Sequence, residues 1–222
     1  MKLSGPYQPI LLRILHGTTG VLTILALISG FLVYNTYDKR WGSLDLFTLG
    51  NIQDIHGTIA LTFLLLLPVF ALYSFHLGHR RLVQTQSFSQ LKQINQPIGW
   101  IAVHRFANTL MLLAATLAVI TGRMMQEAWL PAGETYHAWY LAHLIAWLCL
   151  FIGLAFHLLT GAKVGGTPLL LSMLNWRIRG EDTPRSWLQG IQVKSSSLIL
   201  NVIEGIVIGG IIMAFILPVF NS

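Results

Sequence analysis

Five long apolar runs, at approximately 9–34, 52–77, 100–125, 138–161 and 198–219, divide this chain, and polar residues gather between them. Each run is long enough to cross a hydrocarbon core about 30 Å thick as one helix. The polar stretches 78–99 and 126–137 read as short connectors. Residues 162–197 form a longer one, and within it PLLLSMLNWRIRG mixes Leu, Met and Trp with Arg177 and Arg179. That mixture predicts a short amphipathic helix lying along the membrane interface. The expected fold is therefore all-α and integral to the membrane: a four-helix core over 1–161, an interfacial loop over 162–197 and an additional transmembrane helix within 198–222. No repeat or low-complexity tract interrupts this pattern.

Composition agrees, since the chain is 54% hydrophobic and 10% charged, against about 25% charged residues in soluble domains. Its net charge of +6 does not point to nucleic acid, because the charge is sorted by loop. With alternate loops on opposite sides, one side carries Lys2, Arg13, Arg80, Arg81, Lys92, Arg105, Lys163, Arg177, Arg179, Arg185 and Lys194. The other carries Lys39, Arg40 and Arg123 beside five carboxylates, Asp38, Asp45, Asp54, Glu127 and Glu134. By the positive-inside rule the N-terminus is cytoplasmic and the C-terminus lies on the opposite side. The start, MKLSGPYQPILLRILHG, has no small-residue cleavage site and reads as a retained first helix. The single cysteine, Cys149, leaves no internal disulfide, four-cysteine iron–sulfur site or zinc cluster to be built from this chain alone.

Topology gives each histidine a depth. His143 and His157 stand fourteen residues apart on the fourth run, almost four helical turns, so both face one way and lie about 21 Å apart along the axis. His16 shares the cytoplasmic depth of His157, and His56 the outer depth of His143. Two depth-matched imidazole pairs are the arrangement that bis-histidine haem ligation between neighbouring helices needs. Buried structural histidines are the competing reading for any one of them, and a histidine-rich metal or proton transporter is a reading of another class. Gly17, Gly20, Gly57 and Gly153 lie beside or four positions from the proposed ligands, giving room for a macrocycle or for close helix packing. Arg13, Arg105 and Arg123 are candidates to pair with haem propionates, or to face headgroups at helix ends.

His104 competes for the cytoplasmic site. With Asn108, four residues on and on the same face, it could instead hold a quinone carbonyl or a propionate. Glu204, deep in the fifth run, could deliver protons to a reduced quinone or pair with a loop arginine. His76 and His79 read as a headgroup-facing cluster beside Arg80 and Arg81, and His137 as part of an aromatic interfacial belt with Tyr136 and Trp139.

The segments RILHG, IHG and AHLIAWLCLFIGLAFH (142–157) resemble the prokaryotic cytochrome b561 superfamily, which includes cytochrome b subunits of nickel–iron hydrogenases and formate dehydrogenases. The likeness spans about 9–161. It implies two haem b groups, one held by His16 and His157 and the other by His56 and His143. It also implies electron exchange with the quinone pool near the cytoplasmic haem, where His104 and Asn108 fall. The setting implied is a bacterial plasma membrane or an internal energy-converting membrane, and the partners are the lipid bilayer and a quinone. A dehydrogenase or iron–sulfur subunit, or a second copy in a homodimer, is a further expected partner, with the chain as a haem-containing anchor. The fifth helix, with a GxxxG step at Gly205 and Gly209, departs from the four-helix pattern and suits helix docking. Gly17 also follows the first histidine where many bacterial members have tryptophan. Ascorbate-linked cytochromes offer another scheme, pairing His16 with His104 and His56 with His143 and leaving His157 unused.

Overall fold

The computed structural model describes residues 7–47, 49–175, 178–180, 182–187, 191 and 197–220. Lys2, Arg177 and Lys194 of the charge count, and the Trp176–Arg177 part of the expected interfacial helix, lie outside the described residues. Five long helices carry the fold: α1 (Ile10–Tyr37), α2 (Ile52–His76), α3 (Pro97–Met124), α4 (Ala138–Leu174) and α5 (Leu198–Phe220). All five are long and apolar enough to cross a membrane, and no strand occurs among the described residues. A helix satisfies its backbone N–H and C=O groups within the segment, which hydrocarbon requires of any spanning structure. Pro97 opens α3, where its missing N–H leaves no helical bond unmade.

α4 runs past the boundary expected near residue 161. It continues to Leu174 with one break at Gly166 (φ 61°, ψ −172°), two residues before Pro168. A positive φ of that kind suits glycine, which has no Cβ to clash. Residues 162–165, expected in a loop, are thus helical, and 168–174 follow directly beyond the kink. The non-helical Gly166 separates the membrane helix from a second helical stretch over 168–174, which falls in the segment expected to form a short helix of its own.

α1 packs on α2, α3 lies along α4, and α5 wedges against both α2 and α3. Leu27, Phe63, Leu67, Leu112, Leu150, Val207 and Ile211 belong to the shared core. α5 comes close to α3 at Gly210, where an added Cβ would stand 2.5 Å from Thr116 Cγ2. Gly205 and Gly209, by contrast, have nothing within 4 Å of such an atom, so the GxxxG step is not the contact that seats α5 inside the chain. Large apolar side chains such as Val21, Ile24, Ile28, Leu65 and Val69 are exposed along the helices, the surface a bilayer solvates.

Polar residues tie the helix ends. Asp182 accepts hydrogen bonds from Tyr7 Oη and from the Ile10 N–H at the start of α1, and it ion-pairs with Arg13 at 3.9 Å. At the other end Arg40 donates to both Asp38 oxygens, and Tyr140 donates to the same carboxylate. That hydrogen-bonded carboxylate raises the Arg40 guanidinium above its ordinary value.

Candidate functional site

The α3–α4 hairpin builds most of the site. Numbering rises along α3 as it falls along α4, so His104 meets Thr160, Asn108 meets His157 and Thr121 meets His143, all across one seam. α1 contributes His16 at one end and Ser29 at the other, and α2 contributes His56.

Two imidazole pairs result. His16 and His157 have ring centroids 5.7 Å apart with planes at 35°. His56 and His143 have centroids 6.1 Å apart with planes at 78°. Two imidazoles bonded at about 2 Å through one ring nitrogen each to opposite sides of a metal ion have centroids roughly 6 Å apart. Both pairs fit that requirement. His104 differs, because it stacks on His157 at 4.9 Å and 26°, nearer than a metal between the rings allows.

The hydrogen bonds also fix which nitrogen is free. Ser29 Oγ lies 2.9 Å from His56 Nδ1 while donating its own proton to the Leu25 carbonyl at 2.7 Å. The serine oxygen must then accept, so His56 carries its proton on Nδ1 and leaves Nε2 bare. Thr121 does the same for His143: Oγ1 donates to the Leu117 carbonyl and lies 3.0 Å from His143 Nδ1. For His157 the acceptor is Asn108 Oδ1, 2.7 Å away, and the amide is oriented by Nδ2 donating to the Arg81 carbonyl. Metal-bound histidines typically donate their second ring N–H to an oxygen in this manner. His104 Nδ1 is bound by Thr160 Oγ1, whose proton goes to the Phe156 carbonyl.

The space around the pairs is uneven. Gly17, Gly20 and Gly57 have nothing within 4 Å of an added Cβ, whereas at Gly153 such an atom would meet Met111 Cγ at 2.8 Å. Gly153 therefore serves helix packing; Gly17 and Gly57 are exposed on the outer surface, and Gly20 is half-buried. Beside Gly20, the Thr19 hydroxyl is buried and has no hydrogen-bond partner. An unpartnered buried hydroxyl beside an open glycine, one turn from His16, marks a place where a further polar group could be accommodated.

The other sequence candidates are engaged elsewhere. Arg13 ion-pairs with Asp182 and lies over the Tyr7 ring. Arg105 donates to the Arg80 carbonyl and to Gln90, clasping the connector between α2 and α3. Glu204 contacts His76 Nε2 at 3.0 Å, so its partner is the histidine at the end of α2 and not a loop arginine. A cleft of about 410 Å³ lies between α2 and residues 179–180 and 182–187, lined by Tyr7, Tyr73, Arg81, Arg179, Asp182 and Trp187. Outside the spans, burial and the adjacent Arg80 push His79 below the usual imidazole value. Ser29, Thr19, Thr121 and Thr160 are not legible as site residues in the sequence; hydroxyls on helices are common, and only their alignment with histidines marks them.

A multi-pass helical membrane protein presenting paired imidazoles between its helices belongs to the class of membrane cytochromes. A family model described as prokaryotic cytochrome b561 matches residues 7–176. The chain belongs to that family, and it is a membrane haem b electron-transfer protein. No curated protein and no solved structure matches it. α5 lies beyond the matched region.

Proposed function

We propose that the chain holds two haem b groups, one between His16 and His157 and one between His56 and His143, and carries electrons across the membrane to or from the quinone pool. The observation that carries this reading is a pair of imidazoles with centroids near 6 Å at each end of the bundle. Bound haem supplies a one-electron ferric–ferrous couple. The chain's own residues would orient the imidazoles and keep Nε2 of His56, His143 and His157 available. Thr19 and Gly20 would border the group held beside His16, and Arg13 is the cation closest to that ligand along α1. At the same end His104 is the group to face a quinone, with Asn108 committed to His157 and the Arg81 carbonyl, and His76 with Glu204 is the carboxylate–imidazole pair available for protons.

His104 lies stacked on His157, while His16 faces His157 at the separation ligation requires, which favours the His16–His157 pair over the ascorbate-type scheme. The N-terminus is cytoplasmic in this reading, on the loop charges. A second role as a haem-containing anchor of a larger oxidoreductase is favoured by the open Gly205–Gly209 face on α5, which a partner helix or a second copy would cover.

Pyridine haemochrome analysis of the purified protein tests the reading directly. About two haems per chain are expected, falling to one in His157→Ala and to one in His143→Ala. A chain purified without haem ends the proposal. His104→Ala should keep both haems and slow quinone reduction; loss of the His16-end haem in that variant, with His157→Ala sparing it, assigns the ascorbate-type pairing instead.

A further inference from the structure

A short sequence step recurs at three histidines held by a hydroxyl. His56 Nδ1 meets Ser29 Oγ, and the same ring's Cε1 lies 3.2 Å from the Cβ position of Gly30. His143 Nδ1 meets Thr121 Oγ1, and its Cε1 lies 3.3 Å from the Cβ position of Gly122. His104 Nδ1 meets Thr160 Oγ1, and its Cε1 lies 3.7 Å from the Cβ position of Gly161. Each time a hydroxyl residue receives the Nδ1–H, and the glycine that follows it lets the Cε1 edge lie against the helix.

We propose that Ser29–Gly30, Thr121–Gly122 and Thr160–Gly161 are imidazole seats, positioning residues that fix the tautomer and the ring plane of His56, His143 and His104. In every seat the hydroxyl proton is committed to the carbonyl four residues back, so the oxygen can only accept. The seat therefore works in one sense: Nδ1–H in, Nε2 out. Because Ser29–Gly30 is on α1 and Thr121–Gly122 on α3, the two seats hold the His56 and His143 planes crossed at 78°. His157 is held differently, by the Asn108 amide, and its plane lies at 35° to His16. The seats make the two ends of the bundle unlike in ring geometry. Thr19–Gly20 is a step of the same kind, with an orphaned hydroxyl and an open glycine, and no histidine in it.

This inference rests on the two-haem reading, and its test separates the two. Each axial imidazole donates π density to the iron d orbital perpendicular to its plane. Crossed planes leave those orbitals nearly degenerate and give a strongly anisotropic low-spin ferric signal; planes nearer parallel split them and give a rhombic one. Electron paramagnetic resonance of the oxidised holoprotein should show one signal of each kind. With both haems retained, Ser29→Ala and Thr121→Val should each shift the anisotropic signal toward the rhombic form and leave the other unchanged. The hydroxyl-preserving Ser29→Thr and Thr121→Ser should keep the parent spectrum. Parent spectra in both Ser29→Ala and Thr121→Val overturn the seats. Should either variant lose a haem, its hydroxyl-preserving counterpart must retain it, and failure to do so also overturns them. Retention of two haems in both His56→Ala and His143→Ala sinks the ligand reading itself, whatever the seats do.

Discussion

At the scale of single residues, the acceptor on each imidazole is the variable that distinguishes one site from the other. Asn108 gives His157 an amide oxygen at 2.7 Å, where His56 and His143 have hydroxyl oxygens at 2.9 and 3.0 Å. An amide oxygen is the stronger acceptor; it draws the Nδ1 proton further, leaves more electron density on Nε2 and favours ferric iron. Replacing Asn108 with Leu should raise the midpoint potential of the His16–His157 haem alone, measured by redox titration at the α band. A downward shift, or an equal shift of both haems, contradicts that account. Gly30 offers a steric counterpart. A Cβ there stands 3.2 Å from both His56 Cε1 and Trp147 Cδ1, so Gly30→Val should displace the ring and reduce haem content at the His56 end, read as haemochrome per chain.

Among the elements, α5 is the one whose role the family match leaves open, since it lies outside residues 7–176. Its close internal contact is at Gly210, against Thr116, and its polar tie is Glu204 to His76. Gly210→Leu forces side chain into packed space, which costs about 1–3 kcal/mol in well-packed cores. That variant should lower the thermal midpoint in detergent while both haems remain; unchanged stability means α5 does not pack as described. Gly205→Leu and Gly209→Leu, on the open face, should leave the isolated chain's stability unaltered and reduce copurification of a partner or second copy. The extent of α4 is a related lesson. Hydropathy ends the fourth span near 161; its helix runs on to the non-helical Gly166, and a second helical stretch follows to Leu174, inside the segment expected to form a short helix of its own.

For the whole molecule, orientation follows from charge and is open to measurement. On a Cys149→Ser background, cysteines introduced at Gln93 and at Ala132 should label from opposite sides of sealed vesicles, the first from the cytoplasmic side. Labelling of both from one side rules out the five-span topology. Periodicity and hydropathy in the sequence determined the five spans, because hydrocarbon admits a helix of fixed minimum length and little else. The fourteen-residue interval between His143 and His157 determined that one helix offers imidazoles at two depths, because helical pitch is nearly invariant. What only the tertiary structure decided is which groups meet them. The pairing of His16 with His157, the partnering of Glu204 with His76, and the hydroxyls of Ser29, Thr121 and Thr160 at the ring Nδ1 atoms all depend on the register between helices. That register is set by side-chain packing across each seam, with Gly30, Gly153 and Gly210 fixing how near two backbones come, and no periodicity within a single helix encodes it.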